Sequence, residues 1–480
     1  MKPNILFIMT DHGRADHLDA GHPCAMPNVR RLAGEGVRFT HAFTPTTHCC
    51  PARASLMTGQ YPSKHGVFNN VQNDSALQRD LNPGCETWSE KLRDAGYNLA
   101  YAGKWHVSAK RNPSDFGWDE LDICSTGIYP HHDYESYVNL PRNDPRPRAR
   151  GELHVPGWRR LHLYGTSSET FEQTRDYAFM NSARERLRTM ARAKAPWCLY
   201  LGLTGPHGPF VVPAAYARRY DPVDVVLPPN YNDDMRNRPG YYGRLQRKYA
   251  QLSADEAREA VAHYWGYCDM MDDLTGIMLD ELQATGQADD TLVIYASDHG
   301  EFSAEHGLFA KGIAPFDGAY RVPYVFRWPN GIAAPGRCEQ AFITHCDLSP
   351  TLTELTGASP TAGPSGRSLV PFLRGERPSD WPEEVYTQCN GVEILYTQRA
   401  IRTRKWKLVY NPVDRDELYD LEKDPHEMVN LVEKPELQPV VKELFIKLWT
   451  HGRAECDAMS SYETVSLAPF GPALALGIDS

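Results

Sequence analysis

The chain has 480 residues, 41% of them hydrophobic and 23% charged, a composition that excludes a disordered or fibrous protein. Its length exceeds what one ordinary core accommodates, so one large α/β unit and a smaller unit are expected. A formal net charge of -10 excludes a general nucleic-acid binder, because phosphate backbones are held by basic surfaces.

In chain order, NILFIMT (Asn4 to Thr10) is predicted as the first strand. It lacks a small-residue cleavage site and runs directly into Asp11 and His12, so it does not read as a signal segment. The eleven cysteines lie between Cys24 and Cys456 without paired spacing, which points to free thiols in a reducing compartment. A cytoplasmic location is therefore expected, or a periplasmic or secreted one if a signal was trimmed. No apolar stretch approaches the ~20 residues needed to cross a bilayer, so no membrane association is expected.

Further strands are predicted at Asn98 to Ala102, Cys198 to Leu203 and Thr291 to Ala296. Ser253 and Glu256 form a capping box for a helix running to Gly286, which delivers the chain into the Thr291 strand. Strands alternating with helices predict a mostly parallel sheet covered on both faces. Between His106 and Ser168 the text is irregular and rich in Pro, Arg, His and Tyr, a pattern expected of a loop that walls a pocket. After a helix-like Asp347 to Gly357, the turn-rich ASPTAGPSGRS marks a boundary. The expected division is a catalytic α/β domain over 1–360 and a smaller α+β subdomain over 361–480. The latter holds an antiparallel sheet (RAIRTRKWKLVY, ELYDLEKDPHE) closed by a helix near Val440 to Trp449.

Unusual residues follow the predicted strands: Asp11 and His12 the first, Lys104 and His106 the second, His207 the third, Asp298 and His299 the fourth. Ligands of open α/β sheets bind at the carboxyl ends of strands, so these residues are candidates for one crevice. Two carboxylates, several imidazoles and lysines suit a divalent cation and a bound oxyanion. Taken singly, each has a plain structural alternative: Asp11 as a cap, His207 in GPHGP as a turn residue, Asp298-His299-Gly300 as a sharp turn. Gly103-Lys104 is not a phosphate-binding loop, because Gly96 is misplaced and Trp105 stands where Ser or Thr is required.

Cys49-Cys50-Pro51-Ala52-Arg53, ending in Thr58-Gly59, adds a signature of Cys, any residue, Pro, any residue, Arg, then a short run to Thr-Gly. With NILFIMTDH, MPNVRRLAGEGVRF, GKWH, GPHGPF, YASDHGE, HGLFAKG, YRVPYVFRWP and WKLVYNP in the expected order, the chain resembles the formylglycine-dependent sulfatases of the alkaline phosphatase superfamily over most of its length. The resemblance implies a large mostly parallel sheet sandwiched by helices, with a C-terminal α+β subdomain. It implies that Cys49 is converted to formylglycine by a maturation enzyme, with Cys50 as a neighbour.

An aldehyde hydrates to a geminal diol. One hydroxyl attacks sulfur, the ester oxygen leaves as the alcohol and the enzyme carries a covalent sulfate; deprotonation of the other hydroxyl then collapses the hemiacetal, expels sulfate and restores the aldehyde. The resemblance further implies Asp11, Cys49, Asp298 and His299 as metal ligands, with Ca2+ expected and Mn2+ or Mg2+ as alternatives. Arg53 would support the modified residue, and Lys104 would bridge nucleophile and oxyanion. His106 would act as base, His207 and Lys311 would hold sulfate and assist the departing oxygen, and Asn70 would donate to the oxyanion.

Many members carry two consecutive Asp after the first strand, whereas this chain has Asp11-His12, so His12 is either a ligand or a neighbour of the metal. Phosphonate monoester and phosphodiester hydrolases of the superfamily share that departure and form the alternative to a sulfate esterase; GKWH favours sulfate. The insertion from His131 to Arg160 either binds an anionic sugar or serves as a solvated loop or oligomer contact. A carbohydrate sulfate is the expected substrate, with a small aryl or alkyl sulfate as the alternative.

Overall fold

The computed structural model describes residues 2–124, 140, 146–157, 159–392, 394–461 and 465–477. Its strands are β1 (Asn4–Thr10), β2 (Val37–Phe43), β3 (Asn98–Lys104), β4 (Asp119–Cys124), β5 (Glu152–Val155), β6 (Arg159–His162), β7 (Tyr164–Ser167) and β8 (Trp197–Gly202). They continue with β9 (Phe210–Pro213), β10 (Thr291–Ser297), β11 (Tyr324–Arg327), β12 (Arg337–Thr344), β13 (Glu384–Cys389), β14 (Gln398–Thr403), β15 (Trp406–Tyr410) and β16 (Glu417–Asp420). Eight of these form one sheet in the order β12-β2-β11-β10-β1-β8-β3-β4. Every neighbouring pair is parallel except those made by β11, which runs antiparallel to β10 and to β2.

The apolar runs read in the sequence are the middle of this sheet, and their alternation divides two cores rather than a core from solvent. Leu6 and Ile8 enter one apolar cluster with Ala100, Leu199 and Val293, while Ile5, Phe7 and Met9 enter the opposite one with Tyr101, Tyr200 and Ile294. Strands buried on both faces need no polar face, which is why they read as continuous hydrophobic text. Burying each such side chain contributes roughly 1.5–3 kcal/mol.

The helix Ala254–Ala284 covers the first face together with the helix Arg175–Met190. Its start is the predicted capping box: Ser253 Oγ accepts from Glu256 N at 3.2 Å, and Glu256 Oε2 accepts from Ser253 N at 2.9 Å. The helix Cys49–Thr58 lies on the other face and is buried on every side, so it shows no amphipathic pattern.

The register of the four central strands positions the site. Thr10 pairs with Ser297, Met9 with Gly202, and Gly202 with Gly103, so β10, β1, β8 and β3 end in one row. Asp11, Lys104 and Asp298 leave the sheet along that row, and the segment to His207 follows β8. Gly103 is required there: its φ is +92°, and a Cβ would lie 1.9 Å from the Gly202 carbonyl oxygen.

The predicted C-terminal antiparallel sheet is β13-β14-β15-β16, and the helix Gln438–Ala454 packs Leu444, Phe445, Leu448 and Trp449 onto it. Arg399 of β14 pairs with Asp457 just beyond that helix, Nη2 to Oδ1 at 3.0 Å, and Tyr386 Oη donates to Asp457 Oδ2 at 2.5 Å. Among the described residues no helix is long and apolar enough to cross a membrane.

Much of the His131 to Arg160 insertion lies outside the described residues. Of its described arginines, Arg146 and Arg160 pair with Glu152, Arg148 with Glu256 and Arg150 with Glu259. These four therefore fasten the insertion to itself and to the helix Ala254–Ala284.

Candidate active site

Cys49 is the first residue of its helix, following His48 in extended conformation. Pro51 is tolerated because first-turn N–H groups have no intrahelical partner, and the helix N-terminus favours negative charge at residue 49. Cys49 Sγ lies 3.2 Å from His299 Nε2 and 3.7 Å from Asp11 Oδ1. Burial and the Asp11 carboxylate push the Cys49 thiol up, outweighing Lys104 and Lys311. Cys50 points elsewhere: its Sγ accepts from Val71 N at 3.4 Å and donates to Gln72 Oε1 at 3.5 Å.

Asp11, Cys49, Asp298 and His299 each offer a ligand atom, all within 4.8 Å of one another, and all four residues are buried. His299 Nδ1 lies 2.9 Å from the Gly300 carbonyl oxygen. That contact requires the proton on Nδ1 and leaves the Nε2 lone pair facing Cys49 and Asp11. Burial also disfavours the imidazolium at His299 despite the nearby carboxylates. Two carboxylates and a neutral imidazole nitrogen are a donor set that fits a divalent cation.

Burial alone would raise the Asp11 carboxyl, but the charges of Lys104 and Arg53 hold it well below the usual range. Lys104 Nζ is paired directly with Asp11 Oδ2. Arg53, 1% exposed, ties the group together: Nε donates to Asp298 Oδ2 at 2.8 Å and Nη1 to the Lys104 carbonyl at 2.9 Å, while Nη2 lies 3.6 Å from Asp11 Oδ2. His345, absent from the sequence reading, supports the same corner through Nε2, 2.8 Å from the Asp298 carbonyl oxygen.

Lys311 ties two further imidazoles to the group. Its Nζ is 2.6 Å from His12 Nε2 and 2.9 Å from His207 Nε2. Since an ammonium only donates, both Nε2 atoms accept, and both rings carry their proton on Nδ1. His207 Nδ1 donates to the Gly208 carbonyl at 2.6 Å, and His12 Nδ1 donates to Glu301 Oε2 at 2.6 Å. Burial, reinforced by Lys311, keeps His12 and His207 neutral, and burial pushes the Glu301 carboxyl up to about 7.

His12 also belongs to a second candidate ligand group with Asp11, Cys49 and His207, its Nε2 3.7 Å from Asp11 Oδ1. The ammonium on that Nε2 makes it a neighbour of the Asp11–His299 group in this arrangement.

His106 is neutral through burial and the charge of Lys104. Its Nε2 is 2.6 Å from Gln72 Oε1, and its buried Nδ1 has no hydrogen-bond partner among the described residues. His12 and His106 hold positive φ, 70° and 54°, the sparsely populated region where functional residues concentrate. Asn70 Oδ1 accepts from Cys50 N at 3.3 Å, which leaves the amide nitrogen as its donor, and Asn70 and Lys311 line a cavity of about 680 Å3.

Sequence reasoning missed Gln72 and Glu301, the residues that orient His106 and His12. Glu301 stands in the quoted YASDHGE and could have been found there; Gln72, in the loop after Asn70, carries no signal of its own.

A helix-flanked, mostly parallel eight-stranded sheet with a separate C-terminal antiparallel sheet is the alkaline-phosphatase-like architecture, and its carboxyl edge gathers carboxylates, imidazoles and lysines around a helix N-terminus. The Sulfatase family model matches residues 3–358, and the model described as N-sulphoglucosamine sulphohydrolase, C-terminal, matches residues 304–453. The chain belongs to the sulfatase family and is a sulfuric ester hydrolase.

It is 30% identical to a choline-sulfatase of Rhizobium meliloti, over 90% of this chain and 83% of that one. It is 26% identical to an N-acetylglucosamine-6-O-sulfatase of Bacteroides thetaiotaomicron, over 92% of this chain and 85% of that one. Its fold is similar to that of a phosphonate monoester hydrolase from Silicibacter pomeroyi, with a TM-score of 0.79 at 24% identity, covering 96% of this chain and 97% of that one.

Proposed function

We propose that this sulfatase hydrolyses a carbohydrate sulfate ester using Cys49 in its formylglycine form. The reading includes a divalent cation, Ca2+ by preference, held by residue 49, Asp11, Asp298 and His299. The observation that carries it is the gathering of these ligands at Cys49 together with Lys104, Lys311 and His207 in one buried cluster. A buried thiol pushed up by Asp11 is a poor thiolate, which favours the aldehyde hydrate over sulfur chemistry. The sulfated-sugar name of one relative and the sulphohydrolase description of the C-terminal match support a sugar substrate.

The aldehyde hydrate and cation together supply an oxygen nucleophile near neutral pH and a second hydroxyl through which sulfate is released. The protein's own residues do the rest. The helix N-terminus and Lys104 stabilise negative charge at residue 49. Lys311 has three N–H donors; two are taken by His12 and His207, and the third serves the sulfate or the departing oxygen. His207, fixed by the Gly208 carbonyl, positions Lys311, whose ammonium stabilises the departing oxygen or gives it a proton. His106, neutral and oriented by Gln72, is the base for the second hydroxyl. Asn70 donates to the sulfate from the cavity side. A formylglycine-generating enzyme is the required maturation partner.

His12 in place of a second carboxylate favours phosphonate monoester or phosphodiester hydrolysis as the second reading. The test is kcat/KM for an aryl sulfate against the matching aryl phenylphosphonate, on protein co-produced with a formylglycine-generating enzyme. Faster sulfate turnover is expected; the reverse ranking would transfer the assignment to the phosphonate esters.

A further inference from the structure

The cavity of about 680 Å3 beside the catalytic cluster has a charge that runs against the rest of the protein. The chain carries a net charge of -10, yet the described residues lining this cavity include Arg244, Lys248 and Lys311 and no Asp or Glu. Lys311 is engaged by His12 and His207 at the catalytic end. Arg244 and Lys248 have no part in that cluster. They sit four residues apart on the helix Gly240–Tyr249, so they present cations from one helix face.

Arg244 is exposed, and among the described residues no carboxylate pairs with it, in contrast to Arg146, Arg148, Arg150 and Arg160 of the insertion, each of which holds a glutamate. Behind the two cations, the buried rings of Tyr249 and Phe309 lie 5.6 Å apart between centroids, and Lys248 Nζ sits 4.9 Å from the Tyr249 centroid, which holds the ammonium at the cavity wall.

We propose that the leaving group received by this cavity carries a negative charge of its own: a carboxylate or a further sulfate on the ring, facing Arg244 and Lys248. The inference rests on the sulfatase reading of residue 49 and extends it by naming the class of alcohol. A cationic alcohol such as choline would meet the exposed Arg244 with no carboxylate among the described lining residues, so the cavity selects against it.

The test uses matured enzyme and three esters: 4-carboxyphenyl sulfate, phenyl sulfate and choline sulfate. The expected order of kcat/KM is carboxyphenyl above phenyl above choline, with KM for the carboxyphenyl ester rising with salt. Arg244→Gln and Lys248→Gln should each lower the carboxyphenyl-to-phenyl ratio by about two- to five-fold, the scale of a partly exposed ion pair. A wild-type ratio of one or below, or a ratio unmoved by either substitution, would overturn the inference while leaving the sulfatase reading intact.

Binding to a Cys49→Ala variant by calorimetry provides a readout independent of turnover. Tighter binding of the carboxyphenyl ester supports the inference and equal binding refutes it. Failure of matured enzyme to turn over any of the three esters would count against the reading of residue 49.

Discussion

Replacing Arg53 by Met tests how the candidate metal site is held in charge balance. Arg53 is 1% exposed and donates to Asp298 Oδ2 at 2.8 Å and to the Lys104 carbonyl at 2.9 Å. Met removes both donors and leaves Asp298 a buried carboxylate without its counter-ion; breaking a buried pair in this way costs about 3–5 kcal/mol. A divalent cation bound by Asp11 and Asp298 would restore counter-charge, so the loss should shrink when Ca2+ is present. Arg53→Lys should fall between, since it keeps the charge and loses the planar fork that reaches two acceptors. The assay is urea unfolding followed by tryptophan fluorescence, with chelator and with Ca2+, read as differences from wild type. A loss below about 1 kcal/mol in chelator would refute the claim that Arg53 balances a desolvated carboxylate. A loss identical with and without Ca2+ would refute the proposed cation at Asp298.

Further expectations follow from neighbouring contacts. Asp457→Asn should cost about 3–5 kcal/mol at neutral pH, because it leaves the buried Arg399 without its carboxylate. Burial would raise Asp457, but Arg399 and Tyr386 hold it below its unfolded value, so its contribution is present above that value and is lost as pH falls through the folded one. The gap between wild type and variant should therefore close below about pH 4, where a gap that stays constant would contradict the pairing. Cys50→Ala should keep formylglycine formation and turnover with a stability change of about 1 kcal/mol, whereas loss of conversion by peptide mass would make Cys50 more than a neighbour. Gln72→Leu should lower kcat by about 10–100-fold through misorientation of His106 and alter the pH profile of kcat, with Gln72→Glu restoring part of it. Chelation of matured enzyme should abolish turnover, and Ca2+ should restore it; unchanged turnover after chelation would remove the cation from the account.

The central strands were legible because they are buried on both faces: NILFIMT and TLVIYA read as continuous apolar text and are β1 and the start of β10. β11 and β12 were less legible: β11 is four residues long, and the first half of β12 is partly exposed and alternates Arg, Cys, Glu and Gln. The helix Cys49–Thr58 carries no periodic stripe because all ten of its residues are buried, and only its motif revealed it. At the site, residues that follow strand ends were readable from the carboxyl-edge rule, and the register of β10, β1, β8 and β3 brings them into one row. What sequence text does not carry is orientation. Gln72 on His106, Glu301 on His12 and His345 on the Asp298 carbonyl are contacts across loops, set by tertiary packing rather than by local pattern.

The central claim is that residue 49 acts as formylglycine in sulfate ester hydrolysis. The most direct measurement takes preparations with graded co-production of a formylglycine-generating enzyme and determines, in each, the converted fraction of the Cys49 peptide by mass and the rate of aryl sulfate turnover. Turnover should rise in proportion to the converted fraction and vanish where the thiol is intact. Full turnover by protein that retains the Cys49 thiol would contradict the account.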